Sequence, residues 1–190
     1  MLSVGLIDCG STKVPKIVSI LQDNDCQVHV IPLVEANGCN FANLNSVVIS
    51  GGAYLFTNKK VGKVLTQQFE FLDNLRIPTL GICRGHQALA VRRGYDAFLG
   101  EERREDEIIT VHLEHQLFCG LPARFSMRAD HCEGISLPAG FQTLASSKFY
   151  EVEAMASKSL SHFGVQFHPE DSGEFGSILI RNFCNIAKGS

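Results

Sequence analysis

The sequence predicts a three-layer α/β fold: a mostly parallel central sheet, helices on both faces, and an antiparallel extension toward the carboxyl end. Two observations carry this expectation. In the first half, short runs of aliphatic residues that end in aspartate or glycine alternate with stretches whose apolar residues recur at helical spacing. After Gly94 the helical period gives way to short alternating strands.

Taken in order, residues 4–8 form an apolar strand closed by Asp8-Cys9-Gly10-Ser11, and Val14, Ile17, Val18, Ile20 and Leu21 then follow on a helix. Residues 28–32 and 47–50, the latter running into Gly51-Gly52, read as further strands, apolar enough to be covered on both faces and hence parallel. A helix over 61–75 places Val64, Leu65, Phe69 and Leu72 on one face, and Pro78 stops it before a strand over 79–83. The next helix starts at Gly85 and runs to about Arg93. The second half predicts strands over 108–112, 125–128, 141–145, 152–156 and 163–167. Phe175, Ile178, Leu179, Phe183 and Ile186 then mark an amphipathic helix with Lys188 at its carboxyl end, where a cation complements the helix dipole. No repeat, linker or low-complexity tract interrupts the chain, so residues 1–190 read as a single domain.

A chain of 190 residues can bury roughly two thirds of its unfolded surface in one core. With 45% apolar residues and a net charge of −3, it fits neither a disordered segment nor a protein drawn electrostatically to nucleic acid. No apolar run approaches the ~20 residues that a membrane helix needs, and Asp8 comes too early for a signal peptide. The expected location is the cytoplasm, without a membrane or nucleic-acid partner. The seven cysteines are scattered and never spaced C-x-x-C, which fits free thiols in a reducing compartment.

Among those cysteines, Cys83 stands apart. In Gly81-Ile82-Cys83-Arg84-Gly85-His86-Gln87 it lies between two glycines where a buried strand meets a helix. A sharp turn of this kind strains the nucleophile's backbone, leaves no room for neighbouring Cβ atoms, and pushes the side chain outward. The helix N-terminus behind it favours an anionic sulfur. A buried structural cysteine, or another α/β hydrolytic fold, also fits this heptad. A thiol nucleophile needs a base, and the base needs an orienting group. Gly164-Val165-Gln166-Phe167-His168-Pro169-Glu170 offers both: His168 emerges at the end of a strand, and Pro169 fixes the backbone so that Glu170 can turn back to the imidazole. Alone, that tail also fits a strand running into a surface turn.

Together the two segments resemble the signature of the class I glutamine amidotransferases, G-x-C-x-G-x-Q followed by a late G-x-Q-F-H-P-E. The likeness extends through Asp8-x-Gly10, Ile49-Ser50-Gly51-Gly52, Leu117-Phe118-x-Gly120-Leu121-Pro122, Glu153-Ala154-Met155 and Arg181-Asn182-Phe183. Within the family, Gly85-His86-Gln87, Glu153-Ala154-Met155 and the final helix are most similar to the glutaminase subunits of GMP synthetases. The corresponding subunits of anthranilate, aminodeoxychorismate and imidazole glycerol phosphate synthases share most of these features.

The resemblance implies a flavodoxin-like sheet and hydrolysis of L-glutamine to glutamate and ammonia through a cysteinyl thioester. It assigns Cys83 as nucleophile, His168 as proton shuttle, Glu170 as its orienter, and the backbone N–H groups of Gly52 and Arg84 as the oxyanion hole. Gln87 would face the substrate, and Asp130, His131 and Cys132, in a loop over 130–133, would grip its amino and carboxylate groups largely through main-chain atoms. No cofactor or metal is implied. Because the chain stops soon after the last helix, the ammonia is expected to pass to a separate ATP-dependent synthetase subunit. Ala53 stands where the family commonly has proline, Arg84 where an aliphatic or aromatic side chain is usual, and Gly10-Ser11-Thr12-Lys13 lacks the glutamine-bearing form seen in GMP synthetases. The Arg84 cation is expected at the pocket mouth. A free-standing γ-glutamyl hydrolase or peptidase, and a non-catalytic regulatory protein with the same fold, are the alternatives.

His112, Glu114 and His115 read as framework rather than a metal site, since no further ligand accompanies them. The charged run over 101–107 reads as a solvated hairpin, with synthetase docking as its alternative. Met127, Met155 and the phenylalanines read as core.

Overall fold

The structure, a computed structural model, describes residues 1–189. Its strands are β1 (Leu2–Asp8), β2 (Cys26–Pro32), β3 (Ser46–Ile49), β4 (Thr79–Ile82), β5 (Ala97–Arg103), β6 (Asp106–Val111), β7 (Arg124–Arg128), β8 (His131–Ile135), β9 (Phe141–Ser146), β10 (Ala154–Ser157) and β11 (His162–Val165). The helices are α1 (Val14–Asp23), α2 (Leu33–Ala36), α3 (Gly62–Gln68), α4 (Arg84–Val91) and α5 (Gly173–Lys188). Nine strands form one sheet in the order β2-β1-β3-β4-β11-β10-β9-β6-β7. Pairing is parallel from β2 through β11 and antiparallel beyond it.

Side-chain alternation along the central strands explains the layers, since successive residues point to opposite faces. Val4 and Leu6 of β1, Val48 of β3, and Leu80 and Ile82 of β4 join Ile17 of α1 and Leu179 and Phe183 of α5 in one core. Ile7, Val47 and Ile49 point the other way and pack with Leu65 of α3 and Leu89 of α4. β1 and β3 are therefore apolar on both sides, and every residue of β3, β4 and β11 is buried, as parallel strands covered by helices must be. Among the described residues, no helix is long and apolar enough to cross a membrane.

The structure departs from the sequence expectation at several points. The helix predicted over 61–75 is two pieces, α3 and a 3₁₀ turn at Glu70–Asp73. The side chain of Asn37 intervenes: its Nδ2 donates to the Gln67 carbonyl at 2.9 Å and its Oδ1 accepts from the Phe71 N–H at 3.0 Å, ending one helix and starting the next turn. Val64 is exposed rather than on the buried face, and Phe98 is half-exposed rather than core. β2 is an edge strand with Val30 open to solvent, so it is not covered on both faces.

The strands β5 and β8 lie outside the sequence expectation. They pair with each other, apart from the main sheet. Tyr150 holds them: a Cβ on Gly100 or Gly134 would meet its ring at 2.6–2.9 Å, and its hydroxyl donates to the Glu101 carbonyl at 2.6 Å. The charged run over 101–107 is not a hairpin, because β5 pairs with β8 while β6 pairs with β7 and β9; it is the end of β5, a short turn and the start of β6, where Arg103 pairs with Glu101, Glu105 and Glu107.

Three buried histidines set an acid limit on stability. Burial pushes His86 down to about 3 and His131 and His162 down to about 4, so all three are neutral in the folded chain near neutrality. The unfolded chain binds protons at these sites below about pH 6.5, so stability is full above that pH and is lost as pH falls toward 4. Glu153 has the opposite sign: burial raises it to about 8, so it is already protonated in the folded state and offsets one of the three. With a net two protons taken up on unfolding, the expected loss is at most roughly 3 kcal/mol per pH unit between pH 6 and 4.5. Calorimetric melting temperatures that stay level from pH 7 to 4.5 would contradict it.

Candidate active site

Cys83 is the residue at which β4 turns into α4, and its backbone takes φ 49° and ψ −98°. Positive φ in a residue with a Cβ is costly and persists only where the surroundings enforce it. Here they do. The Cys83 N–H donates to the Val165 carbonyl at 2.8 Å, and its carbonyl accepts from Gln87 at 3.0 Å. A Cβ at Gly81 would collide with the backbone of Gly85, and one at Gly85 would sit 2.7 Å from the Ile49 carbonyl oxygen. Both flanking glycines are thus required by close approach, in line with the sequence expectation.

Strand pairing brings the base to the thiol. β11 lies beside β4 in parallel, with Val165 opposite Ile82, so the residues following each strand emerge side by side. The His168 N–H donates to the Arg128 carbonyl at 2.8 Å, which holds the backbone there. Its ring Nδ1 lies 2.7 Å from Glu170 Oε1. That leaves Nε2 for the side of Cys83, which lines the same cavity and acts electrostatically on the ring. Burial opposes a charge on His168, but hydrogen bonds and charge from Cys83 and Glu170 outweigh it and raise the imidazole to about 10. Gly51 closes the site from the side: a Cβ there would lie 2.9 Å from His168 Cε1 and 3.6 Å from Cys83 Cβ.

A cavity of about 310 Å³ opens beside this group and is lined by Cys83, His168, Gly52, Arg84, Gln87, Asp130, His131 and Cys132, together with residues that no sequence motif places there. Every predicted site residue except Glu170 therefore borders one space, and Glu170 lies behind His168. Gln87 reaches it from the first turn of α4, its Nε2 donating to the Glu133 carbonyl at 3.2 Å and to Gln166 Oε1 at 3.3 Å. Asp130 is paired with Lys13 at 3.1 Å, and Lys13 also meets Asp171 at 3.2 Å, which ties the segment 10–13 over the cavity. His131 donates through Nδ1 to the Glu133 carbonyl at 3.2 Å and packs against Tyr150, so it is a neutral ring rather than a cation.

Two expectations change. The stretch 130–133 is not a free loop, because His131 onward is strand β8. Arg84 does not project at the mouth: its side chain is 2% exposed, folded under residues 52–55, with Nη2 hydrogen-bonded to the Tyr54 carbonyl. Sequence reasoning also misses the side chain of Glu133. Its carboxylate is buried and accepts from the N–H groups of Phe56 at 3.1 Å and Thr57 at 2.7 Å. Nothing local in the sequence signals that contact, since it spans more than seventy positions. Glu102 and Arg104 of the charged run also border the cavity, which a reading as a plain solvated hairpin does not provide.

His112, Glu114 and His115 do not converge. His112 Nε2 is 2.6 Å from Ser146 Oγ, and His115 Nδ1 accepts from the Leu117 N–H. Among the described residues, no group of three or more His, Cys, Asp or Glu is placed to hold a metal ion.

Comparison with known proteins points the same way. The family model described as glutamine amidotransferase class-I matches residues 5–187. The chain is 38% identical over 148 residues to the glutamine-hydrolysing GMP synthase subunit of Methanocaldococcus jannaschii, covering 75% of this chain and 74% of that protein. Among solved structures, a protein described as a GMP synthase subunit from Thermoplasma acidophilum superposes with a TM-score of 0.88 at 25% identity, over 100% of this chain and 95% of that one. A glutamine amidotransferase from Thermotoga maritima shares the fold, with a TM-score of 0.78 at 19% identity over 99% of this chain and 84% of that one.

The charge on His168 depends on Cys83 and, after it, on the carboxylate of Glu170. Cys83 and Glu170 both raise the ring, and Glu170→Gln removes the second while leaving the first and the burial, so the imidazole is expected to fall below about 10. NMR titration of the ring reads this directly, and an unchanged midpoint would show that Glu170 does not govern it.

Proposed function

Because this chain belongs to the class I glutamine amidotransferase family, we propose that it hydrolyses L-glutamine to glutamate and ammonia and delivers the ammonia to the separate, ATP-dependent synthetase subunit of a GMP synthetase. The observation that carries the reading is the Cys83–His168–Glu170 chain of contacts at the wall of a cavity large enough for an amino acid. Residues 1–190 would act as one amidotransferase domain in the cytoplasm.

In this reading, Cys83 Sγ attacks the side-chain amide carbon of glutamine. The tetrahedral oxyanion is met by the N–H groups of Gly52 and Arg84, two residues that both line the cavity. Fixed donors of this kind contribute ~3–4 kcal/mol each, because they need no reorganisation as charge develops. His168, charged through its contacts with Cys83 and Glu170, gives its proton to the departing ammonia. The neutral ring then takes a proton from water, whose oxygen attacks the thioester carbon, and glutamate leaves as the thiol is restored. Glu170 keeps the ring in one orientation throughout by binding Nδ1, which leaves Nε2 to exchange protons with the reacting groups. Asp130, His131 and Cys132, with Gln87 beneath them, form the wall against which the amino acid head group would rest.

The test is to incubate the chain with glutamine, with and without the synthetase subunit of a GMP synthetase, and to measure glutamate and aminated product. Low glutaminase activity alone, rising at least about tenfold with the partner, is expected, as is covalent labelling by a glutamine-like electrophile. Both should vanish in Cys83→Ala, a loss of ~10⁴-fold or more for a removed nucleophile. Labelling that survives in Cys83→Ala would sink the nucleophile assignment. Preference for γ-glutamyl peptides over glutamine would redirect the reading to a hydrolase, and full-rate hydrolysis without the partner would remove the coupling.

A further inference from the structure

Arg84 combines features that a stabilising residue would not have. Its guanidinium is among the most completely buried large side chains, yet its Nε and Nη1 find no hydrogen-bond partner. A buried cation with donors unmet is a poor source of stability, and apolar replacements of similar volume at such positions are commonly neutral or favourable. Its placement points elsewhere. The group lies flat against Gly52: a Cβ on that glycine would meet Arg84 Cζ at 3.0 Å and Nε at 3.1 Å. Nη2 is hydrogen-bonded to the Tyr54 carbonyl, two residues on. At the far end of the same segment, the buried carboxylate of Glu133 accepts from Phe56 and Thr57. Glu133 is also close enough to act electrostatically on Arg84.

We propose that Arg84 is a positioning residue for the reaction: with Glu133 it clasps residues 52–57 from both ends and so sets where the Gly52 N–H points. The inference rests on the glutaminase reading above and goes beyond it. One residue then serves both walls of the oxyanion site. Its backbone N–H follows the nucleophile on α4, while its side chain props the opposite segment. Ala53, which lacks the fixed φ of a proline, leaves that segment free to shift unless something outside it holds it. The clasp supplies this hold. Because Glu133 belongs to β8, which pairs with β5 along Leu99, the setting of the loop is also tied to the small sheet rather than to the main one.

The experiment compares wild type, Arg84→Met, Arg84→Lys and Glu133→Gln in the presence of the synthetase subunit, with three readouts. Arg84→Met should keep or raise the melting temperature and leave KM for glutamine within about threefold, while kcat falls roughly 30- to 300-fold, as on loss of one oxyanion donor. Alkylation of Cys83 by iodoacetamide, which develops no oxyanion, should proceed within about twofold of the wild-type rate. Arg84→Lys, which keeps a donor for the Tyr54 carbonyl, should recover part of kcat. Ala53→Pro, placed in Arg84→Met, should recover part of it by a different route. An unchanged kcat in Arg84→Met overturns the clasp, as does a loss confined to KM, or one matched by equal loss of alkylation. If Arg84→Met does not fold, Glu133→Gln decides: kcat should fall about tenfold at unchanged KM, and no fall overturns the proposal. Wild type that releases no glutamate even with the partner would instead refute the glutaminase reading itself.

Discussion

Cys83 holds a backbone conformation that a residue with a side chain seldom takes, and the architecture around it can be understood as what enforces that conformation. The enforcement is local and non-local at once. Locally, Gly81 and Gly85 let β4 and α4 approach so closely that any Cβ would meet backbone. Non-locally, Ile49 of β3 packs under Gly85 and the Val165 carbonyl of β11 takes the Cys83 N–H. A strain of about 1–3 kcal/mol is small against the apolar burial of the central strands, which are covered on both faces. The reward is positional: the side chain projects over the carboxyl ends of the parallel strands, where open α/β sheets place their ligands.

The same sheet explains why groups far apart in the chain, at 83 and 168, meet. β11 comes late in the chain yet inserts beside β4 as a parallel strand, so its carboxyl end delivers His168 to the edge that already bears Cys83. The antiparallel strands β10 and β9 that follow in the sheet keep β11 in place, and the Gln166 N–H donates to the Glu153 carbonyl at 2.8 Å just beyond them. Electrostatics then sets the charge. His168 is raised not because it is exposed but because its two partners outweigh the desolvation that burial imposes.

The rim of the cavity follows different physics. Lys13, Asp130 and Asp171 form a partly buried network, and Arg104 and Glu102 pair at the turn from β5 to β6. Exposed pairs of this kind contribute little to stability. What they supply is shape, because they tie segment 10–13 to the start of β8 and close one side of the opening. Below the rim, Arg84 and Glu133 are buried charges whose worth depends on the geometry they impose rather than on Coulomb energy alone.

By itself the sequence determined the α/β alternation, the strand-to-helix turn at Cys83, the tail that carries His168 and Glu170, and the family, whose model indeed matches. Each of these is a local pattern: apolar periodicity, two glycines around a cysteine, a proline between base and acid. Other features needed the folded chain. The small β5–β8 sheet depends on Tyr150 filling the space beside Gly100 and Gly134, the break in the helix predicted over 61–75 depends on an Asn37 side chain arriving from elsewhere, and Arg84, expected at the mouth, is folded inward. Local patterns report which residues share a face or a turn. Where a long polar side chain ends, and which distant backbone groups it satisfies, is settled only when the sheet order brings those groups within reach, and no spacing along the chain encodes that.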